Sequence, residues 1–374
     1  MSNPIHPSLL DKLDPEFIDF YNRELIHIVP PHTLPWTPDI RNAPAVPGGS
    51  TPLPVGRIQD FDVEQTRVRV YTPPGEVPDG GWPVFLFFHG GGWTLGNIAS
   101  ESAFCTNMCI VRLRRLELDR TFYSTIDGDR VCGADCVVIS VDYRLAPENP
   151  YPAAVQDAVD ALVWTVHTGA KLLDLDLGRL AVGGSSSGGN LAAVLAIKVN
   201  ANQIPSTTES TPLPANLIKF QLLIVPVIDN TLSTSSGSES TSTTTSTTTN
   251  STSTWSTNQH TPWLTPARML WFRSNYLPNP QDRGNWDASP IFAPKEWVRG
   301  LPKTWIALAE LDILCGEGLE YAEKLKREGV EVEVEVYRGA PHPVMAMDGV
   351  LSVGRKLVKD AAGKLKEAFG ALKK

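Results

Sequence analysis

The sequence predicts an α/β architecture: a mostly parallel central sheet covered by helices on both faces. Three observations lead there. Short continuous apolar runs, VFLFF at Val84–Phe88 and CVVISVDY at Cys136–Tyr143, read as strands buried on both faces. Segments of helical character fall between such runs, at residues 152–167, 188–201, 318–328 and 350–372. From Gly56 onward strand and helix alternate, which calls for parallel strands joined by covering helices.

Taken in order, the chain opens with Leu9, Leu10, Leu13, Phe17, Phe20 and Tyr21 at helical spacing between Pro7 and about Ile28. A Pro-rich stretch, Pro30 to Pro54, reads as a linker wrapped over a surface. Residues 1–55 are therefore expected as a helical segment with its linker, and residues 56–374 as the main body. Arg67–Pro73 alternates like a strand in an antiparallel pair, and further strands are expected at Arg179–Gly184, Ile218–Ile228, Thr304–Ala309 and Val332–Tyr337. Two stretches break the alternation. At 112–130, Arg112, Arg114 and Arg115 are offset by Glu117, Asp119, Asp127 and Asp129, so a charged surface insertion is expected. Residues 231–260 form a second insertion, whose centre, Ser233–Thr254, is almost wholly Ser and Thr. It lacks the apolar content to pack and is expected to be disordered.

With 42% hydrophobic and 20% charged residues in 374, the chain has an ordinary globular composition. A net charge of −8 argues against nucleic acid as a partner, because a polyanion binder needs a basic field. Asp11, Lys12, Asp14 and Glu16 interrupt any signal-peptide core, and no apolar run reaches the length of a bilayer span. A cytoplasmic protein without a membrane span is expected. Five cysteines, an odd number, point to reduced thiols rather than a disulfide framework. Cys105/Cys109 and Cys132/Cys136 form two C-x3-C pairs, but that spacing is wider than the usual zinc knuckle, so packed thiols are expected and no metal.

The residues that point to chemistry begin with GGSSSGG at Gly183–Gly189. A strand-to-helix turn that holds its central residue in a strained conformation needs small residues two before it and two after. Only Ser186 has both, as Gly184 and Gly188. Upstream, HGGGW at His89–Trp93 follows a buried strand, and its glycines free backbone amides to face a developing oxyanion. A phosphate cradle would want G-x-G-x-x-G or a following Lys-Ser/Thr, and neither is present. Of seven histidines, His6, His27, His32 and His260 lie in the N-terminal or low-complexity regions, His89 belongs to the Gly-rich loop and His167 ends a helix. His342 follows the last strand, at the sheet edge where binding loops gather, and is the candidate base. For the acid, TWIALAELDILCGEG offers Glu310, Asp312 and Glu317. Asp312 is favoured because it lies past the strand end and a helix and a strand before His342, while Glu317 falls where a helix N-terminus explains it equally well.

Together HGGGW at 89–93, DYRLAPENPYPAA at 142–154, GSSSGG at 184–189, ELDIL at 310–314 and APHPV at 340–344 resemble the hormone-sensitive-lipase-like branch of the α/β-hydrolases. The resemblance implies the α/β-hydrolase fold with an N-terminal helical cap, and a serine carboxylic-ester hydrolase acting through Ser186, His342 and Asp312. The substrate would be a small-molecule ester of small or medium acyl length, with no cofactor. Oxyanion donors would come from the loop Gly90, Gly91 and Gly92, chiefly the last two, and from the amide of Ser187. Asp142, Arg144 and Glu148 match the branch's structural turn, and Glu310 resembles a glutamate outside the triad. Three positions depart from the pattern: Ser185 and Ser187 stand where the branch has Asp and Ala, and Asn149 stands where it has His. The same site would serve an amidase, lactonase or arylformamidase. A ligand receptor that kept the fold is a further alternative, although loss of the base histidine is one route to it and His342 is present.

Overall fold

Among the described residues, eight strands form one sheet in the order β1-β2-β4-β3-β5-β6-β7-β8. They are β1 (Arg57–Val63), β2 (Thr66–Thr72), β3 (Trp82–Phe88), β4 (Val137–Val141), β5 (Leu175–Ser185), β6 (Ile218–Ile224), β7 (Lys303–Ala309) and β8 (Val332–Tyr337). The computed structural model describes residues 2–110, 134–204, 213–234, 250–342 and 344–371. β1 and β2 pair antiparallel, β2 runs antiparallel to β4, and every pair from β4 to β8 is parallel.

The helices are α1 (Pro15–Phe20), α2 (Ser102–Cys109), α3 (Ala153–Trp164), α4 (Ala170–Leu172) and α5 (Ser187–Asn200), then α6 (Asn250–Thr257), α7 (Pro266–Tyr276), α8 (Lys295–Val298), α9 (Cys315–Arg327) and α10 (Ser352–Ala371). Strand pleating sends alternate residues of β3 to opposite faces. Val84, Leu86 and Phe88 join a core with α3, α5, α7 and α9, while Phe85 and Phe87 join a second core with α2 and α10. That two-sided burial explains why β3 reads as an unbroken apolar run. β1 escapes the sequence reading because RIQDFDV is an edge strand, exposed along most of its length.

The N-terminal segment, which the sequence sets apart from the body, buries Ile5, Leu9, Leu13, Phe17, Phe20, Tyr21 and Leu25 in the second core. There the Glu16 carboxylate accepts the Ser352 amide at the start of α10 (2.7 Å), and the Asp14 amide donates to the Gly339 carbonyl (2.9 Å). The 112–130 insertion lies outside the described residues, as does 235–249 of the Ser/Thr-rich stretch. The rest of that stretch departs from expectation. Residues 250–257 are helical, and Trp255 is fully buried against α9, so the disorder expected up to residue 260 is not found there. No described helix is long and apolar enough to cross a membrane.

Candidate active site

Because β3, β5, β7 and β8 run parallel, their C-terminal ends open on one edge of the sheet. Ser186 sits at the turn from β5 into α5 with φ 54° and ψ −115°, a conformation that an L-residue adopts only under constraint. Its amide donates to the Ile224 carbonyl (2.8 Å), and its own carbonyl accepts from the amides of Val227 (3.2 Å) and Asn190 (3.1 Å). The flanking glycines are demanded by space. A Cβ on Gly188 would collide with the Phe88 carbonyl oxygen, and one on Gly184 with the Gly188 carbonyl carbon.

Asp312 is fully buried at the loop after β7 and faces His342, its Oδ2 lying 2.7 Å from His342 Nδ1. The second carboxylate oxygen, Oδ1, accepts the Leu314 amide (3.0 Å). His342 and Ser186 retain only 5% and 8% exposure, and no hydrogen bond joins them in the structure. Such a contact is often long without substrate and tightens on binding. The two other carboxylates considered for the acid go elsewhere. Glu310 accepts the Gly339 amide (2.9 Å) and pairs with Arg338, tying the end of β7 to the loop that bears His342. Glu317 accepts the amides of Ile228 (2.7 Å) and Asp229 (3.2 Å) and the indole N–H of Trp255 (3.3 Å). Its burial pushes the carboxyl up to about 8.

Around the Gly-rich loop the four expected donors divide. Among the described residues nothing accepts from the amides of Gly91, Gly92 or Ser187, the last being the first residue of α5 with no intrahelical acceptor. The Gly90 amide instead donates to Glu101 Oε1 (3.2 Å), which takes it out of the set free to meet an oxyanion. Phe272 of α7 closes over Gly92, leaving no room for a side chain there, and Trp93 stacks on Tyr276 at 4.3 Å. His89 is buried beneath the loop, stacked on Tyr143 at 4.4 Å, and burial lowers its imidazole below the ordinary range. The Tyr143 hydroxyl donates to the His89 carbonyl (2.8 Å). Of the turn residues, Arg144 pairs with buried Asp157 (2.8 Å), and Glu148 pairs with Arg41 (2.6 Å), whose guanidinium also donates to the Thr94 and Ala146 carbonyls.

Three contributors are absent from the sequence reading. Glu101 gives no pattern signal, being one acid in a polar stretch. The segment 254–261 lies in what reads as low complexity, yet the Asn258 side-chain amide donates to the carbonyls of Glu310 (3.0 Å) and Asp312 (2.9 Å), and the hydroxyls of Thr254 and Thr261 donate to those of Ile313 and Leu311. α7 does carry a start signal, since Thr265 caps it and Pro266 occupies its first turn. Among the described residues no cluster of His, Cys, Asp or Glu is placed to hold a metal ion. Cys105, Cys109 and Cys136 are buried thiols pushed up by burial, and Cys132 lies outside the described residues.

A family model described as alpha/beta hydrolase fold matches residues 124–346, more than half of the chain. An AB hydrolase superfamily protein of Schizosaccharomyces pombe is 39% identical over 98% of this chain and 97% of its own length. An ethyl acetate hydrolase of Pseudomonas putida is 30% identical over 76% of this chain and 73% of its own. Among solved structures, a hyperthermophilic esterase from the archaeon Pyrobaculum calidifontis superposes with a TM-score of 0.66 at 30% identity, covering 85% of each chain.

Proposed function

Because the chain belongs to the α/β-hydrolase family, in its hormone-sensitive-lipase-like branch of ester-cleaving serine hydrolases, we propose that Ser186, His342 and Asp312 hydrolyse small or medium carboxylic esters through an acyl-enzyme. The observation that carries this reading is the buried 2.7 Å contact between Asp312 and His342, on the same sheet edge as a serine held at φ 54°. His342 takes the proton from Ser186 as its oxygen attacks the ester carbonyl. Asp312 fixes the imidazole tautomer and stabilises the imidazolium that forms. The amides of Gly91, Gly92 and Ser187 receive the oxyanion, a contribution typically worth about 10²–10³ in rate for each donor. The imidazolium then protonates the departing alcohol, and water activated by the same histidine releases the acid.

The small or medium acyl preference draws on two things. Phe272 packs directly on Gly92 beside the buried Trp93–Tyr276 stack, so bulky side chains crowd the Gly-rich loop, and a relative of this chain carries the name ethyl acetate hydrolase. A cytoplasmic location belongs to the same proposal. The test is a panel of nitrophenyl esters of increasing acyl length, with an amide and a lactone alongside, on wild type and Ser186→Ala. Short esters should be turned over fastest and Ser186→Ala should lose that turnover. Undiminished activity in Ser186→Ala sinks the proposed nucleophile, and faster cleavage of the amide or lactone reassigns the reaction.

A further inference from the structure

Glu101 is a buried carboxyl group to which the ester-hydrolysis mechanism gives no task. It stands just ahead of α2, and both the residues it contacts lie next to catalytic ones. Its Oε1 accepts the Gly90 amide at 3.2 Å and the Ser185 hydroxyl at 2.7 Å. Gly90 precedes the two glycines assigned to the oxyanion, and Ser185 precedes the nucleophile. A single carboxylate oxygen therefore joins the end of β3 to the end of β5, and with them the two halves of the oxyanion pocket. Its other oxygen, Oε2, is buried and has no partner among the described residues.

We propose that Glu101 is a positioning residue of this hydrolase, whose ionised carboxylate sets the spacing between the Gly91–Gly92 amides and the Ser187 amide. The inference rests on the assignment of Ser186 as nucleophile. A charged acceptor holds its donors roughly twice as strongly as a neutral one, so the tie is firm when Glu101 is ionised and slack when it is protonated. Burial opposes the charge and pushes the carboxyl up to about 7, while the bonds to Ser185 and Gly90 and the attraction of His342 pull the other way. The other ionisable groups felt by Glu101 are Cys105 on α2 and Tyr143 after β4. Burial pushes both far up, leaving them neutral at this pH. Among the described residues His342 is thus the one facing group that gains charge, and it does so when it takes the proton from the serine.

The experiment compares kcat and KM for wild type and Glu101→Gln from pH 5.5 to 8.5, on a short nitrophenyl ester. The glutamine keeps a neutral acceptor in place of the charged one. Glu101→Gln should lower kcat about tenfold at pH 8.5 with KM nearly unchanged, as expected when donors to the transition state are slightly misplaced. The ratio of wild-type to variant kcat should then shrink toward one as the pH falls below 7, because protonated Glu101 resembles the glutamine. Because Glu101→Gln also removes a charge that His342 feels, Ser185→Ala, which keeps that charge, is measured beside it over the same pH range. A merely structural glutamate would give a ratio that is flat with pH, and a flat ratio overturns the proposal. If Glu101→Gln fails to fold, Ser185→Ala cuts the same tie from the other side. It should lower kcat about threefold with KM unchanged, and unchanged kcat there overturns the proposal equally. Organophosphonate labelling reads the nucleophile separately. A label on Ser186 with a flat ratio removes only the role of Glu101, whereas a label on another serine removes both.

Discussion

Ser186 and Asp312 emerge from strands that flank β6, on the same edge of the sheet, and are held by opposite means. The elbow at Ser186 is secured from within. Its glycines let α5 approach β3 at backbone contact, and its main chain is tied to the last residue of β6 and to Val227 just after it. The loop at Asp312 is secured from outside, by side chains that arrive from some fifty residues earlier in the sequence. Asn258, Thr254 and Thr261 together take the carbonyls of four consecutive residues, Glu310 to Ile313. A constraint made of glycines tolerates no added atom, whereas one made of separate hydrogen bonds weakens by degrees.

The largest effect expected is chemical. Asp312→Asn should lower kcat by about 10⁴ while the melting temperature survives, because the wrong imidazole tautomer results. Near-normal turnover in that variant, with activity lost in Glu310→Gln or Glu317→Gln instead, would mean the acid has been misassigned. Next, Gly188→Ala sets the inner constraint against the outer one. It should cost about 3 kcal/mol in chemical denaturation, since the new methyl meets backbone that has nowhere to move. If Gly188→Ala unfolds at the wild-type denaturant midpoint, the elbow is looser than its contacts indicate.

Asn258→Ala should do less to the fold and more to the site. Loss of two donors to buried carbonyls should cost about 1–2 kcal/mol, with kcat down about tenfold through a loosened Asp312. Equal kcat in variant and wild type would show that the outer clamp is dispensable to the acid. The last prediction concerns pH. Glu317 is raised from 4.5 to about 8 by burial, so it keeps its proton in the fold at pH values where the unfolded chain has released it. Its contribution is therefore fully favourable below about 4.5, is lost steadily up to about 8, and changes no further above that. The melting temperature of wild type relative to Glu317→Gln should fall across that window and then level off. A gap that stays constant with pH contradicts the buried carboxyl.

Much of the sheet could be read because strands buried on both faces must be apolar throughout, as β3 and β4 are. The elbow could be read for a related reason: where only glycine fits, its position in the chain marks the turn. The outer clamp could not. Asn258 and Thr261 act on backbone carbonyls, which any sequence offers, and they follow a Ser/Thr-rich stretch whose composition argues against order. Trp255 was the available hint, a large apolar residue inside that stretch, and it is fully buried. Glu101 was hidden for another reason. Its partners are a hydroxyl and an amide rather than a basic side chain, so no opposite charge elsewhere in the sequence pointed to it.

The N-terminal segment has a consequence for the order in which the enzyme is made. Asp14 bonds to Gly339 and Ser50 to Asp348 through its amide and hydroxyl, so the first fifty residues grip the loop of His342 on both sides. Those contacts span nearly the full length of the chain, and they close late on a ribosome. Until residues near 350 have emerged, the N-terminal apolar side chains have no α10 to cover them and the base has no frame. A nascent chain that has not reached those residues can thus hold a finished elbow and still lack the frame that holds the loop of His342.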